Sequence, residues 1–149
     1  MLIETVGKRV RLVRPRSFAG LMTLYAGNYV RLRQLLGNIP DLPPALVSAS
    51  TSDLSIYLVL DGHSRYTTSL RMTYWFNSNG LISADPDLLV RVYHDARLAE
   101  AVSCRERPRH SVFKGLWVPA MAELERRWSL NMMLSKWLEH CLDHRHVFV

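Results

Sequence analysis

The chain has 149 residues, of which 48% are hydrophobic and 21% charged, with a formal net charge of +6 at pH 7. These proportions exclude a disordered tract, a collagen-like repeat and a disulfide-dense secreted module, and the length fits one domain that buries roughly 70% of its unfolded surface. No apolar run approaches the ~20 residues that cross a bilayer, and Met1-Leu2-Ile3-Glu4 lacks the order of a signal peptide, so the expected location is cytoplasmic.

The charge is concentrated at the start, where Lys8, Arg9, Arg11, Arg14 and Arg16 follow a single acid, Glu4. Residues 1–16 therefore read as a basic arm and residues 17–149 as one domain. Such an arm suits phosphate contact that weakens as salt rises. It equally suits a solvated terminus or a charged edge strand, and Val10, Leu12 and Val13 between the arginines favour a short strand.

From Ser17 the spacing changes to that of a helix, with Phe18, Leu21, Met22, Tyr25, Tyr29, Leu32, Leu35 and Leu36 on one face. Ser17 is the expected N-cap, and Gly37 followed by Pro40 is the expected stop. Gly20 and Gly27 inside the helix each cost about 1 kcal/mol relative to alanine, so close packing is expected to hold it at those points. Residues 38–53, with Pro40, Pro43, Pro44 and then serines and threonines, read as a linker.

Strands follow. Residues 54–60 alternate Leu54, Ile56, Leu58 and Leu60 against Ser55, Tyr57 and Val59; Asp61-Gly62-His63-Ser64 reads as a turn; residues 66–76 form a second strand rich in threonine and aromatics. After turn chemistry at Asn77-Ser78-Asn79-Gly80 and Asp85-Pro86 comes a hairpin over residues 88–102. A turn centred on Asp95-Ala96 sets Arg91 opposite Glu100, Val92 opposite Ala99 and Val90 opposite Ala101, an arrangement that a four-residue loop also preserves. It predicts a cross-strand Arg91–Glu100 ion pair.

Beyond Pro119, the residues Leu124, Trp128, Asn131, Leu134, Leu138 and Leu142 recur at helical spacing, widened by Leu130, Met133, Trp137 and Cys141. The expected fold is α+β: a four-stranded antiparallel sheet packed against an N-terminal and a long C-terminal helix. Cys104 and Cys141 fall in no CxxC pair and read as free thiols.

In order along the chain, Asn28-Tyr29 with Leu32 and Leu35-Leu36, Arg65-Tyr66-Thr67-Thr68, Val90-Arg91-Val92-Tyr93-His94-Asp95-Ala96, Ala99-Glu100, and Asn131 with Trp137-Leu138, Cys141-Leu142 and His144 resemble the YqiB family, the domain of unknown function 1249. The resemblance covers residues 17–146. It implies a small bacterial protein with no established activity. The chain departs from the family pattern at Ala26, residues 115–120, Glu125-Arg126-Arg127 and Arg145, so no site using those positions is carried over.

As chemistry, His94 beside Asp95 invites an acid–base reading, because a carboxylate orients and tunes an imidazole that works near neutral pH. Its plain explanation is a turn, with Asp95 bonding loop amides. Glu100 completes the catalytic candidates, and its pairing with Arg91 has the same structural explanation. His140 and His144 lie one helical turn apart near Cys141 and His146, but no second half of a zinc site accompanies them, so no metal is expected and the histidines read as a helix end. Walker, GxGxxG and GxSxG signatures are absent, and no cofactor is expected.

Asn28 and Asn131 fall on the apolar stripes of their helices, where an unpaired amide is costly. They bond either to each other and the sheet or line a small polar pocket with Arg65, Tyr66 and His94. The ligand-binding candidates are thus Asn28, Arg65, Tyr66, Arg91 and Asn131. Three classes of function remain: a non-enzymatic binding or adaptor module with a cytoplasmic protein partner, a nucleic-acid binder using the arm, and an enzyme acting on a nucleotide-like anion with His94 as base.

Overall fold

The computed structural model describes residues 2–6, 9–13, 17–105 and 122–148. Lys8, Arg14, Arg16 and Pro119 lie outside them, and for residues 2–6 and 9–13 only the backbone is described. That backbone forms an antiparallel pair, β1 (Leu2–Val6) and β2 (Arg9–Val13), separate from the main sheet.

Helix α1 (Phe18–Leu36) begins where expected: the Ser17 hydroxyl accepts the Gly20 amide at 3.0 Å. It ends at Gly37, whose φ of 77° is cheap only for glycine and lets its amide reach the Arg33 carbonyl. The buried face carries Leu21, Leu24, Tyr25, Asn28 and Leu32, whereas Phe18 is 71% exposed. Close packing is not what Gly27 provides, since a Cβ there would meet only the flexible end of Arg31.

The main sheet has six strands, not four, in the order β7-β6-β5-β4-β3-β8, and is antiparallel throughout. They are β3 (Ala45–Ala49), β4 (Ile56–His63), β5 (Thr67–Ser78), β6 (Leu81–Tyr93), β7 (Leu98–Cys104) and β8 (Val147–Phe148). The two additional strands lie in the expected linker and after the last helix. β3 buries only Leu46 and Ser48, so it carries too little alternation to announce itself, and β8 is a strand only because β3 pairs with it.

Two expected turns are strand instead. β4 continues through Asp61 and Gly62 to His63 by way of a bulge between Leu60 and Gly62. Asp85-Pro86 falls inside β6, where the pairing with β5 slips between Thr73 and Trp75; a bulge spares Pro86 the ladder hydrogen bond it cannot donate. Leu54 lies before β4 and is exposed.

The β6–β7 register is the expected one, with Arg91 opposite Glu100, Val92 opposite Ala99 and Val90 opposite Ala101. The connection is a four-residue loop, 94–97, closed by Arg97 at a φ of 54°. Helix α2 (Glu123–Asp143) packs with α1 on one sheet face. Between them lie Ile56, Leu58, Leu70, Met72, Tyr74, Leu88, Val90 and Val92 from the sheet and Met133, Leu134, Trp137 and Leu138 from α2, all buried. Leu124, expected on this face, is instead 39% exposed.

Candidate functional site

The expected site residues fall in three places rather than one. The first is internal. Asn131 on α2 accepts the Ala101 amide at 2.7 Å and donates to the Ala101 and Arg127 carbonyls, while Asn28 on α1 donates to the Asn131 carbonyl at 3.2 Å. β7 is an edge strand, so one Asn131 side chain satisfies a donor and an acceptor that would otherwise be buried without partners. The hydrogen bonds of these amides run between the helices and to Ala101 and Arg127 rather than to Arg65, Tyr66 or His94, which sit at the loop end of the sheet.

The second place is that loop end. His94 donates its backbone amide to the Tyr66 carbonyl, and its Nε2 lies 2.8 Å from Thr68 Oγ1; His63 Nδ1 reaches the same hydroxyl at 3.0 Å. A hydroxyl has one hydrogen, so it donates to one imidazole and accepts from the other. Burial and then the neighbouring His63 push the His94 pKa down, against the opposing pull of Asp95. Arg65 stacks on the exposed Tyr66 ring, 5.2 Å from its centroid. Asp95 is exposed on the loop.

The third is the Arg91–Glu100 pair. The strands set the two opposite, yet no ion pair forms: Glu100 takes the Tyr93 hydroxyl at 2.6 Å instead. Tyr93 lies diagonally from Glu100 on the same face, within reach of a long side chain. Burial, then the bond to Glu100, raises the Tyr93 pKa; burial and the Glu100 charge push Tyr25 on α1 up to about 12.

A polar centre that the sequence reading missed lies at the other end of the sheet, around Asp53. Its Oδ2 accepts from the Tyr74 hydroxyl, from His146 Nε2 at 2.8 Å and faces His140 Nε2 at 3.2 Å. His146 Nδ1 lies 2.7 Å from Ser48 Oγ, which also accepts the Ile56 amide at 2.7 Å. Ser50 donates to the His144 carbonyl, and Ser52 meets the His144 ring. Burial would raise the Asp53 pKa, but the bonds from Tyr74, His146, the Leu54 amide and His140 outweigh it and hold Asp53 at about 2. The histidines are thus a fastened cluster, not a frayed helix end. Their spacing reads only as a helix end, and their partner Asp53 lies in a serine-rich stretch with no signal of its own.

Serine, imidazole and carboxylate in sequence is the order of a hydrolytic triad, but Ser48 is 2% exposed and its oxygen is already engaged by Ile56. Attack on a substrate requires room that this oxygen lacks. Among the described residues no three His, Cys, Asp or Glu side chains are grouped to hold a metal ion. Cys141 is buried, which pushes its thiol pKa up and away from reactivity.

An open depression of about 540 Å³ lies between α1 and the 94–97 loop, lined by Tyr29, Val30, Arg33 and Gln34 on one side and Ala96 and Arg97 on the other. The profile of a family described as a protein of unknown function, DUF1249, matches residues 31–147. The chain belongs to the DUF1249 family. Its relatives include the uncharacterized protein YqiB of Escherichia coli strain K12 and its counterparts in strains O6:H1 and O157:H7, each 28% identical over 134 residues, covering 85% of this chain and 89% of the relative. No solved structure matches. The DUF1249 match spans the depression's Arg33 and Arg97 and the Asp53 centre, but not the β1–β2 pair. No helix among the described residues is long and apolar enough to cross a membrane.

Proposed function

We propose that this DUF1249 chain is a non-enzymatic cytoplasmic binding module that docks a partner protein. The observation that carries the reading is how its reactive side chains are used. Asn131 serves an edge strand, Ser48 and His146 serve β8 and Asp53, and His94 ties its loop to Thr68. These contacts tie the side chains to the fold, and among the described residues the lining of the depression beside α1 includes no serine, cysteine, histidine or carboxylate that could pair as nucleophile and base. What lies open is the depression beside α1, which this reading takes as the docking surface.

A second reading, nucleic-acid binding, draws on the net charge of +6 and on the paired strand that carries Arg9 and Arg11. An enzyme with His94 as base has the least support, since its Nε2 is committed to Thr68. Affinity purification of the tagged full chain from its native cell, with and without nuclease, separates the three. The module reading expects the same protein partner in both. Recovery abolished by nuclease moves the function to nucleic acid, and recovery of nothing specific contradicts the module.

A further inference from the structure

We infer that the groove between α1 and the 94–97 loop binds a short acidic, partly apolar peptide segment of a partner protein. The inference rests on the binding-module reading and names its site and ligand.

Arg33 from the helix and Arg97 from the loop both line the groove. Both are exposed, and among the described residues neither forms an ion pair, in contrast to Arg31 with Glu139 and Arg71 with Asp87. The groove itself contributes no carboxylate. A guanidinium presents a planar fork that fits a carboxylate through two hydrogen bonds.

Arg97 holds a φ of 54°, a region where arginine is strained by roughly 1 kcal/mol and glycine is not. The loop therefore carries a side chain at a position where its backbone would be better served without one. The floor is apolar: Val30 is 54% exposed beside Tyr29. Gln34 adds an amide that both donates and accepts, as a peptide backbone requires.

Length favours an extended chain. Ala26 and Gln34 mark the ends of the helical wall, about 12 Å apart at the α-helical rise, which matches three or four residues of extended peptide. The lining is exposed at Ala26, Val30, Arg33, Gln34, Ala96 and Arg97, so the groove does not enclose a small ligand as a metabolite pocket does. Asp95, next to Ala96 on the loop, repels a dense polyphosphate more than a segment with spaced carboxylates. A second copy of the chain brings its own +6 charge and is disfavoured on the same ground.

The test is fluorescence polarisation of the full chain with a short fluorescein-labelled peptide of aspartate and leucine. The same peptide with asparagine for aspartate, and a labelled single-stranded oligonucleotide, serve as comparisons. The aspartate peptide should bind, weaken as salt rises, and lose at least about tenfold in affinity with Arg33→Glu or Arg97→Gly, the loss of one charge-assisted bond pair. Arg97→Gly keeps the backbone conformation, so its loss is not a folding defect, which thermal melting verifies. Lys136→Glu, on α2 outside the groove, should bind as the parent does.

Absence of aspartate-peptide binding at low salt overturns the inference, as does equal binding of the asparagine peptide or unchanged binding by both arginine variants. So does an oligonucleotide that binds more tightly and displaces the peptide. If a cellular protein is captured yet the peptide does not bind, the groove assignment fails and the module stands; if no partner is captured, the module reading fails by itself.

Discussion

Asp53 gathers donors from three elements: Tyr74 on β5, His140 on α2 and His146 just before β8. Asp53→Ala leaves the Tyr74 hydroxyl and an imidazole buried without their acceptor, which should cost about 2–4 kcal/mol in urea unfolding. Its pKa of about 2 lies below the ordinary carboxylate value near 4, so the unfolded chain binds a proton that the folded one refuses. The stability from this group is therefore complete above about pH 4 and is lost as the pH falls toward 2. His94 follows the same sign for a different reason: its pKa is lowered, so the unfolded chain protonates first. Its contribution is complete above about pH 6.5 and declines below it. Melting temperatures between pH 7.5 and 5.5 should therefore fall less steeply in His94→Ala; an unchanged slope would assign that titration elsewhere.

At the scale of elements, Asn131 holds the edge strand β7 to α2 through both backbone groups of Ala101. Asn131→Ala should cost about 3 kcal/mol, more than the ~1 kcal/mol expected for a single hydrogen bond, and amide exchange at Ala101 should accelerate. Strands β5 and β7, the first part of β4 and residues 88–93 of β6 were legible because each alternates a firmly apolar face, and the β6–β7 register followed because a slip of one residue would turn Val90 and Val92 out of the core. β3 and β8 were not legible. Ser48 is buried for its bonds to Ile56 and His146 rather than for hydrophobicity, and the partners Asp53 and His146 are 93 residues apart. No local pattern encodes such a contact. The Arg91–Glu100 ion pair failed for a related reason, since register places backbones while Tyr93 decided which side chain Glu100 met.

For the whole molecule, the residues most suggestive of chemistry hold the sheet closed at its two ends, and the proposed binding-module reading leaves recognition to exposed arginines. Asn28 and Asn131 were legible as buried amides from their helical spacing, whereas the groove was not: Arg33 and Arg97 come from a helix and a distant loop. Arg97→Gly should also leave stability unchanged or raise it by up to about 1 kcal/mol, because glycine relieves the positive φ while adding freedom to the unfolded chain. The most direct measurement is nuclease-treated affinity purification run in parallel on the parent chain, His94→Ala and the Arg33→Glu/Arg97→Gly double variant. The account predicts that the parent and His94→Ala recover the same protein and the double variant loses it. Recovery lost with His94→Ala but kept by the double variant would contradict it.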